Sequence, residues 1–481
     1  MTWPENEVNL NIAELEGGLD VISHCTCANQ HGNSPSAAVA ALTAVQRTVP
    51  PPDLAATGAY AAGSFGTGVF STVPAILLLY FCTETLHMHA AWAAAVVFIP
   101  KLWAIVWDPL VGVWSDRAVT PIGRRRPFLL AGACGVAAAF IAVFSPPRFG
   151  EAATVGWMAV TYFLLATVYS LFAVPYVAIP SETTGGAAVR TRLVSWRMVV
   201  AMIGVLAGAG LVPHIVEFAG GGRDGYHRMS LLIAGACGLA MLMPLSMLHG
   251  RDRPTAGAAR ARGAVLRQLG SVLRHHAFLR LSGSYVLMLT AVGIISASAP
   301  YLITGAFGRP EGDIGTAMIG MLGATTLSMP VWAWAGRKFG TTRALMAAVL
   351  AFGCGAMLIG GLAVTGTDWV GARFAFAFAG IAFAGMQVLP FTLVAHLVHD
   401  AAQSGHAGES SFTGVWTAAE KLGLAFGPAL TGMVLALWQG QKIGAVASLV
   451  IAGPAILGLL SLPLLIAATR GPLAGVVSTD S

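Results

Sequence analysis

The chain has 481 residues, 56% of them hydrophobic and only 10% charged, with 58 glycines and a formal net charge of +6. Its mean hydropathy is +0.73 and its sequence pI about 9.1. A water-soluble domain of this make-up would expose apolar surface on a scale that drives aggregation, which excludes a soluble enzyme. The basic residues lie scattered between apolar runs, so no nucleic-acid partner is expected either.

In chain order, residues 1–53 are polar, carry Glu5, Glu7, Glu14, Glu16 and Asp20, and close on Pro50-Pro51-Pro52. No basic start leads into an apolar core, so the segment does not read as a secretory signal and is expected to be a disordered cytoplasmic extension. His24, Cys25, Cys27 and His31 have soft-metal ligand chemistry, but no second ligand cluster completes a site, and no metal is expected.

A spanning helix needs roughly 20 mainly apolar residues. Runs of that length fall near 57–82, 90–114, 127–147, 153–179, 193–216 and 229–249, then near 279–304, 314–335, 343–365, 368–398, 412–438 and 443–469. The expected fold class is an all-α integral membrane protein of about twelve helices in two pseudo-symmetric six-helix bundles, 54–249 and 279–470. A basic linker, 250–278, joins them, and a short tail, 471–481, follows. Arginines crowd alternate loops (Arg117, Arg124 to Arg126, Arg190, Arg192, Arg337, Arg343 and the linker), which predicts a multi-pass plasma-membrane protein with both termini cytoplasmic. PLVGVWSDRAVTPIGRRRPF after the second span and PVWAWAGRKFGTTRAL after the eighth form a weak internal repeat, as in transporters whose halves rock about a midplane site.

The second span ends in WDPLVGVWSDRAVTPIGRRRPF, residues 107–128, with Asp108 inside the apolar run. An acid in a spanning helix is functional by default, and its proton affinity changes with the exposure and cations around it. Asp108 is therefore the expected cation-coupling residue. Lys101 lies two helical turns earlier on the same face, placed to pair with it or to hold a substrate oxygen.

Four stretches together resemble the glycoside–pentoside–hexuronide:cation symporters of the major facilitator superfamily, which include melibiose permease and the plant sucrose–proton symporters. They are GAYAAGSFGTGVFS, WDPLVGVWSDR with GRRRPF, AVPYVAIPSET, and LPFTLVAHLVHD with GESSFTGVWTAAEKLGLAFG. The resemblance implies a gating signature in Gly112, Asp116, Arg117, Gly123, Arg124 and Arg125, with Gly112 admitting a close helix approach and the charges forming a latch between helix ends. It also implies cavity roles for Arg197 and Lys421. The family's two acids on the second helix are here Ala104 and Asp108, a lone carboxylate better suited to a proton than to a sodium cage, although water and carbonyls would allow sodium. The sugar-gripping acids of melibiose-type members are Gly68 and Ala173 here, so substrate identity does not carry over.

Trp107, Tyr176 and Trp416 are candidate stacking surfaces for a sugar, and Gln387 a candidate hydrogen-bond partner for its hydroxyls. The expected function is proton-coupled symport of a sugar or glycoside. The alternatives are transport of an anionic, uronide-like or other amphipathic solute, or a transport-dead membrane sensor. A Walker A loop, HExxH and GxSxG are absent, so no enzyme is expected. The expected partners are a small-molecule substrate and the lipid bilayer, the expected state is a monomer, and no cofactor beyond the co-transported ion is expected.

Overall fold

A computed structural model describes residues 52–118, 120–148, 150–183, 186–247, 275–366, 368–403, 409–438 and 441–469. The polar extension up to residue 51, with its His24, Cys25, Cys27 and His31, lies outside the described residues, as do 248–274 of the linker and the tail. Twelve helices among the described residues are long and apolar enough to span a bilayer. We number them α1 (Leu54–Leu78), α2 (Ala90–Arg117), α3 (Arg126–Phe144), α4 (Glu151–Glu182), α5 (Gly186–Phe218) and α6 (Gly222–Met247). The second set is α7 (His276–Ala306), α8 (Gly312–Phe339), α9 (Thr341–Thr365), α10 (Trp369–Gln403), α11 (Glu409–Leu437) and α12 (Lys442–Thr469). Each expected span has its helix, and α7 starts at His276, a few residues inside the expected linker.

Helices dominate because lipid offers no partner for backbone N–H and C=O groups, which must bond within the segment. Ends are fixed locally. Asp53 accepts from Ala56 N at 2.7 Å at the start of α1, and His89 Nδ1 accepts from Ala91 N at 3.3 Å at the start of α2. Pro127 opens α3, where the missing N–H costs nothing, and Gly366, at φ 67°, closes α9.

The packing repeats with an offset of six helices. In the first set α1 packs on α5 and α6, α4 on α2 and α3, and α3 on α6. In the second, α7 packs on α11 and α12, α10 on α8 and α9, and α9 on α12. The two sets meet at α2 with α11 and at the last part of α5 with α8, two seams that the same offset relates. Small residues set the closest approaches. A Cβ on Gly68 would lie 2.5 Å from the Ala201 carbonyl oxygen, and one on Gly204 would lie 2.4 Å from that of Phe65. Helices α1 and α5 therefore meet backbone to backbone. The same contact explains why no carboxylate stands at position 68.

Among the described residues, the cross-seam bonds from Asp108 onward run toward the end opposite the 118–125 loop. At that far end Thr83 and Tyr301 hydroxyls are 2.6 Å apart, and the Tyr80 and Tyr301 rings meet edge to face at 5.3 Å. Gly312 N donates to Glu217 Oε2 at 2.8 Å, and Lys442 Nζ to Glu84 Oε1 at 3.3 Å. A Cβ on Gly315 would lie 2.0 Å from the Gly210 carbonyl oxygen, so α5 and α8 touch there without intervening side chains. The described state is sealed at the far end.

Candidate functional site

Asp108 stands in the middle of α2, between Pro100 and Pro109. Its Oδ1 accepts from Ser170 Oγ of α4 at 2.5 Å, and its Oδ2 accepts from Lys421 Nζ of α11. The ion pair crosses the seam between the two sets of helices. The Asp108 and Lys421 side chains keep 22% and 34% of their surface exposed, so water reaches the pair. A carboxylate with two donors and a solvent path is a group whose protonation would release a lysine from the opposite half.

Lys101 does not pair with Asp108, the partner its place on the same face suggested. Helix α2 runs antiparallel to α11, and Lys101 Nζ donates instead to the Leu424 carbonyl oxygen at 3.0 Å. Phe98 and Phe426 continue this seam, with ring centroids 5.3 Å apart.

Trp107 Nε1 donates to the Thr167 carbonyl oxygen at 3.1 Å and its ring stacks on Trp103, which ties it to α4 on the side of the first set. Tyr176 is 2% exposed and donates to the Tyr60 carbonyl oxygen at 2.6 Å, with Ser64 Oγ 2.7 Å from its hydroxyl. Trp416 is 3% exposed and stacks on Tyr285 at 4.3 Å and 9°. Tyr176 and Trp416 are thus packing residues within their own halves in this state, not free faces for a ligand. Gln387 is half-buried on α10. Arg197 is half-buried on α5, its charge reaching Tyr60 and Tyr176, and its Nε is enclosed with no hydrogen-bond partner among the described residues. Glu420 lies about 100° round α11 from Lys421, near Tyr285 of α7.

The charged residues expected to form a latch include an ion-pair cluster within the first half. Arg125 is 3% exposed at the start of α3. Its Nη2 donates to Asp116 Oδ1 at the end of α2 at 2.9 Å, and its Nε to Glu182 Oε2 at the end of α4 at 2.7 Å. Nη1 adds a 3.3 Å bond to the Pro175 carbonyl oxygen, and Arg124 also pairs with Glu182. One buried guanidinium therefore pins three helix ends. Arg117 is exposed and has no ion pair among the described residues. Gly123 has φ 113° in the turn, a left-handed conformation that requires glycine. Gly112 needs no such explanation, because a Cβ there would meet only Val174 Cγ1 at an ordinary 3.6 Å. The close approach expected at Gly112 occurs instead at Gly68 and Gly204.

Sequence reasoning missed Ser170, Glu182 and the Leu424 carbonyl. Glu182 stood in the AVPYVAIPSET stretch, where an acid next to a proline and two hydroxyl residues was its only signal. Ser170 had none. No group of three or more His, Cys, Asp or Glu among the described residues is placed to hold a metal ion.

Twelve spanning helices packed in this repeated pattern give the chain the major facilitator fold. Residues 59–466 match the family described as MFS/sugar transport protein, and the chain belongs to it. A relative from Escherichia coli named as a glycoside/cation symporter, YagG, is 32% identical over 185 residues, 38% of this chain and 40% of the relative. The match to that relative thus spans less than half of its length. The inner membrane symporter YicJ of Escherichia coli is 24% identical over 75% of this chain and 78% of its own. The sphingosine-1-phosphate transporter MFSD2B of Xenopus tropicalis is 23% identical over 70% of each chain. Among solved structures, the nucleoside transporter NupG superposes with a TM-score of 0.66 at 14% identity, covering 86% of this chain and all of that one, a likeness of fold. The protein is a multi-pass membrane protein of this family, and the relatives it matches are transporters rather than enzymes.

Proposed function

We propose that the protein is a proton-coupled symporter of a sugar or glycoside that works by alternating access in a plasma membrane, with both termini cytoplasmic. The observation that carries this is the partly exposed Asp108–Lys421 ion pair, supported by Ser170, across the seam between the two halves. With the arginine-rich loops inside, the sealed far end faces outward, and the described state is the inward-facing one. Protonation of Asp108 removes its charge and frees Lys421, so proton occupancy changes what helices α2 and α11 contribute to each other. Lys421 and Arg197 then serve as substrate contacts, their ammonium and guanidinium suited to hydroxyl or carboxylate oxygens. Joint occupancy by proton and substrate favours the change of face that either alone does not.

Arg197 supports a second reading, an anionic or amphipathic solute. Its Nε is enclosed with no partner among the described residues, while Lys101 and Lys421 are already engaged, and one relative's name specifies a phosphate-bearing lipid. Competition of uptake by uronides or lysophospholipids, but not by neutral glycosides, would favour this reading over the first.

The test of the main reading is proton movement on substrate addition. Neutral disaccharides, pentosides and uronides are added one at a time to de-energised proteoliposomes holding a pH dye. The reading predicts acidification of the lumen by at least one neutral glycoside and none in Asp108→Asn. Uptake of a glycoside without acidification, or only with a sodium gradient, would refute proton coupling.

A further inference from the structure

Helix α11 carries Pro428 in its interior. Proline has no N–H, so the carbonyl four residues earlier, that of Leu424, loses its helical donor. An unpaired carbonyl inside a membrane costs free energy comparable to a lost hydrogen bond. Lys101 Nζ, from the opposite half of the protein, lies 3.0 Å from that oxygen. We infer that Lys101 is a positioning residue whose ammonium, seated on the carbonyl that Pro428 leaves open, braces α2 to α11 and stabilises the state sealed at the far end.

Direction and spacing agree with this. The helices are antiparallel, so the seam holds two reciprocal contacts. Lys101 of α2 reaches a carbonyl of α11, and Lys421 of α11 reaches the carboxylate of Asp108. Each lysine needs the other half in place. The lysine–carbonyl contact lies on the far side of the ion pair, next to the Phe98–Phe426 contact and before Gly432, whose Cβ would lie 2.5 Å from Ala94 Cβ. It therefore belongs to the part of the seam that must separate if the far end opens. The related seam between α5 and α8 is built from glycine contacts and carries no counterpart of the lysine brace among the described residues. Unlike the ion pair, the brace has no group that gains or loses a proton on the acceptor side. Its role is to set the balance of states, separate from ion coupling.

The inference rests on the alternating-access reading, and its test reads a distance, not uptake. Phe218 is 95% exposed and Val364 67% exposed, on opposite halves at the far end. Spin labels are placed at Phe218→Cys and Val364→Cys, with Cys25, Cys27, Cys134 and Cys354 changed to serine. The full chain is studied in lipid nanodiscs by pulsed electron paramagnetic resonance. The parent is expected to show mainly the short distance of the sealed end. Lys101→Met is expected to raise a longer population, lowering the closed-to-open ratio roughly tenfold, the effect of one charge-assisted hydrogen bond. Pro428→Ala restores the helical donor to Leu424 and releases Lys101, so it should act in the same direction without harming the helix. Added to Pro428→Ala, Lys101→Met should change nothing further. Equal effects of Lys101→Met in both backgrounds overturn the inference, as does a Pro428→Ala protein with the parent's distances. If Asp108→Asn lengthens the distance while Lys101→Met does not, the inference fails and alternating access stands. An unmoved distance in every variant removes both.

Discussion

Glutamine in place of Glu182 would remove the shared partner of two arginines that keep only 5% and 4% of their side-chain surface exposed. Stripping one member from a buried ion pair costs about 3–5 kcal/mol, because the remaining charge stays in a poor solvent. Glu182 itself keeps 32% of its surface exposed, and Arg125 retains Asp116 and the Pro175 carbonyl, so the cost here is about 2–3 kcal/mol. The loss falls on the junction of α2, α3 and α4 within one half, so it lowers stability in every transport state. In a chain of this size, whose unfolding entropy is about 1 kcal/mol/K, that corresponds to a fall in melting temperature of about 2–3 °C. Thermal unfolding of the detergent-solubilised protein, followed by tryptophan fluorescence, measures it, with Asp116→Asn expected to cost less since that carboxylate is 40% exposed. A Glu182→Gln protein that melts within about 1 °C of the parent would refute the argument that this junction depends on a buried, charge-satisfied guanidinium.

Gly68→Ala should destabilise by about 1–3 kcal/mol, since its Cβ meets helix backbone that cannot swing aside, whereas Gly112→Ala should melt like the parent. Trp416→Ala should cost about 3–5 kcal/mol in the same assay, while Trp416→Phe leaves the KM of uptake unchanged, because the ring packs on Tyr285 and does not face a ligand. At the far end, burial, and after it the negative charge of Glu217, push the Glu311 carboxyl above the usual carboxylate range. The sealed state then binds that proton more tightly than an opened, solvated one, so sealing is favoured at low pH and loses this contribution as pH rises through the raised value. Distances between far-end spin labels should lengthen as pH rises above the ordinary carboxylate range and lose that dependence in Glu311→Gln. A dependence unchanged by the substitution would exclude Glu311 as its source.

The helix count and the place of the key acid were legible because each rests on a local signal. Apolar runs long enough to cross a bilayer have few other readings, and Asp108 is conspicuous inside one. Partners across the seam were not legible. Helical periodicity puts Lys101 on the Asp108 face, but the lysine that reaches Asp108 stands 313 positions away on a helix of the other half. Periodicity within one helix says nothing about which helix lies opposite. Pro428 was a visible irregularity, yet its consequence, an open carbonyl at Leu424, becomes a contact only because α2 passes there. The packing of the aromatic candidates was not legible for a similar reason. Tyr176 and Trp416 have the chemistry of a sugar platform, and only their packing on Tyr60 and Tyr285 shows which faces are covered. Glycine at 112 and at 68 look alike in sequence, and backbone proximity separates them.

The central claim, that Asp108 couples proton entry to solute movement, is tested most directly by uptake into proteoliposomes under an imposed proton gradient, with counterflow exchange measured beside it. The account predicts that the parent accumulates a glycoside against its gradient, and that Asp108→Asn loses accumulation while still exchanging labelled for unlabelled substrate. Accumulation undiminished in Asp108→Asn would reduce the Asp108–Lys421 pair to a structural tie between helices and contradict the account.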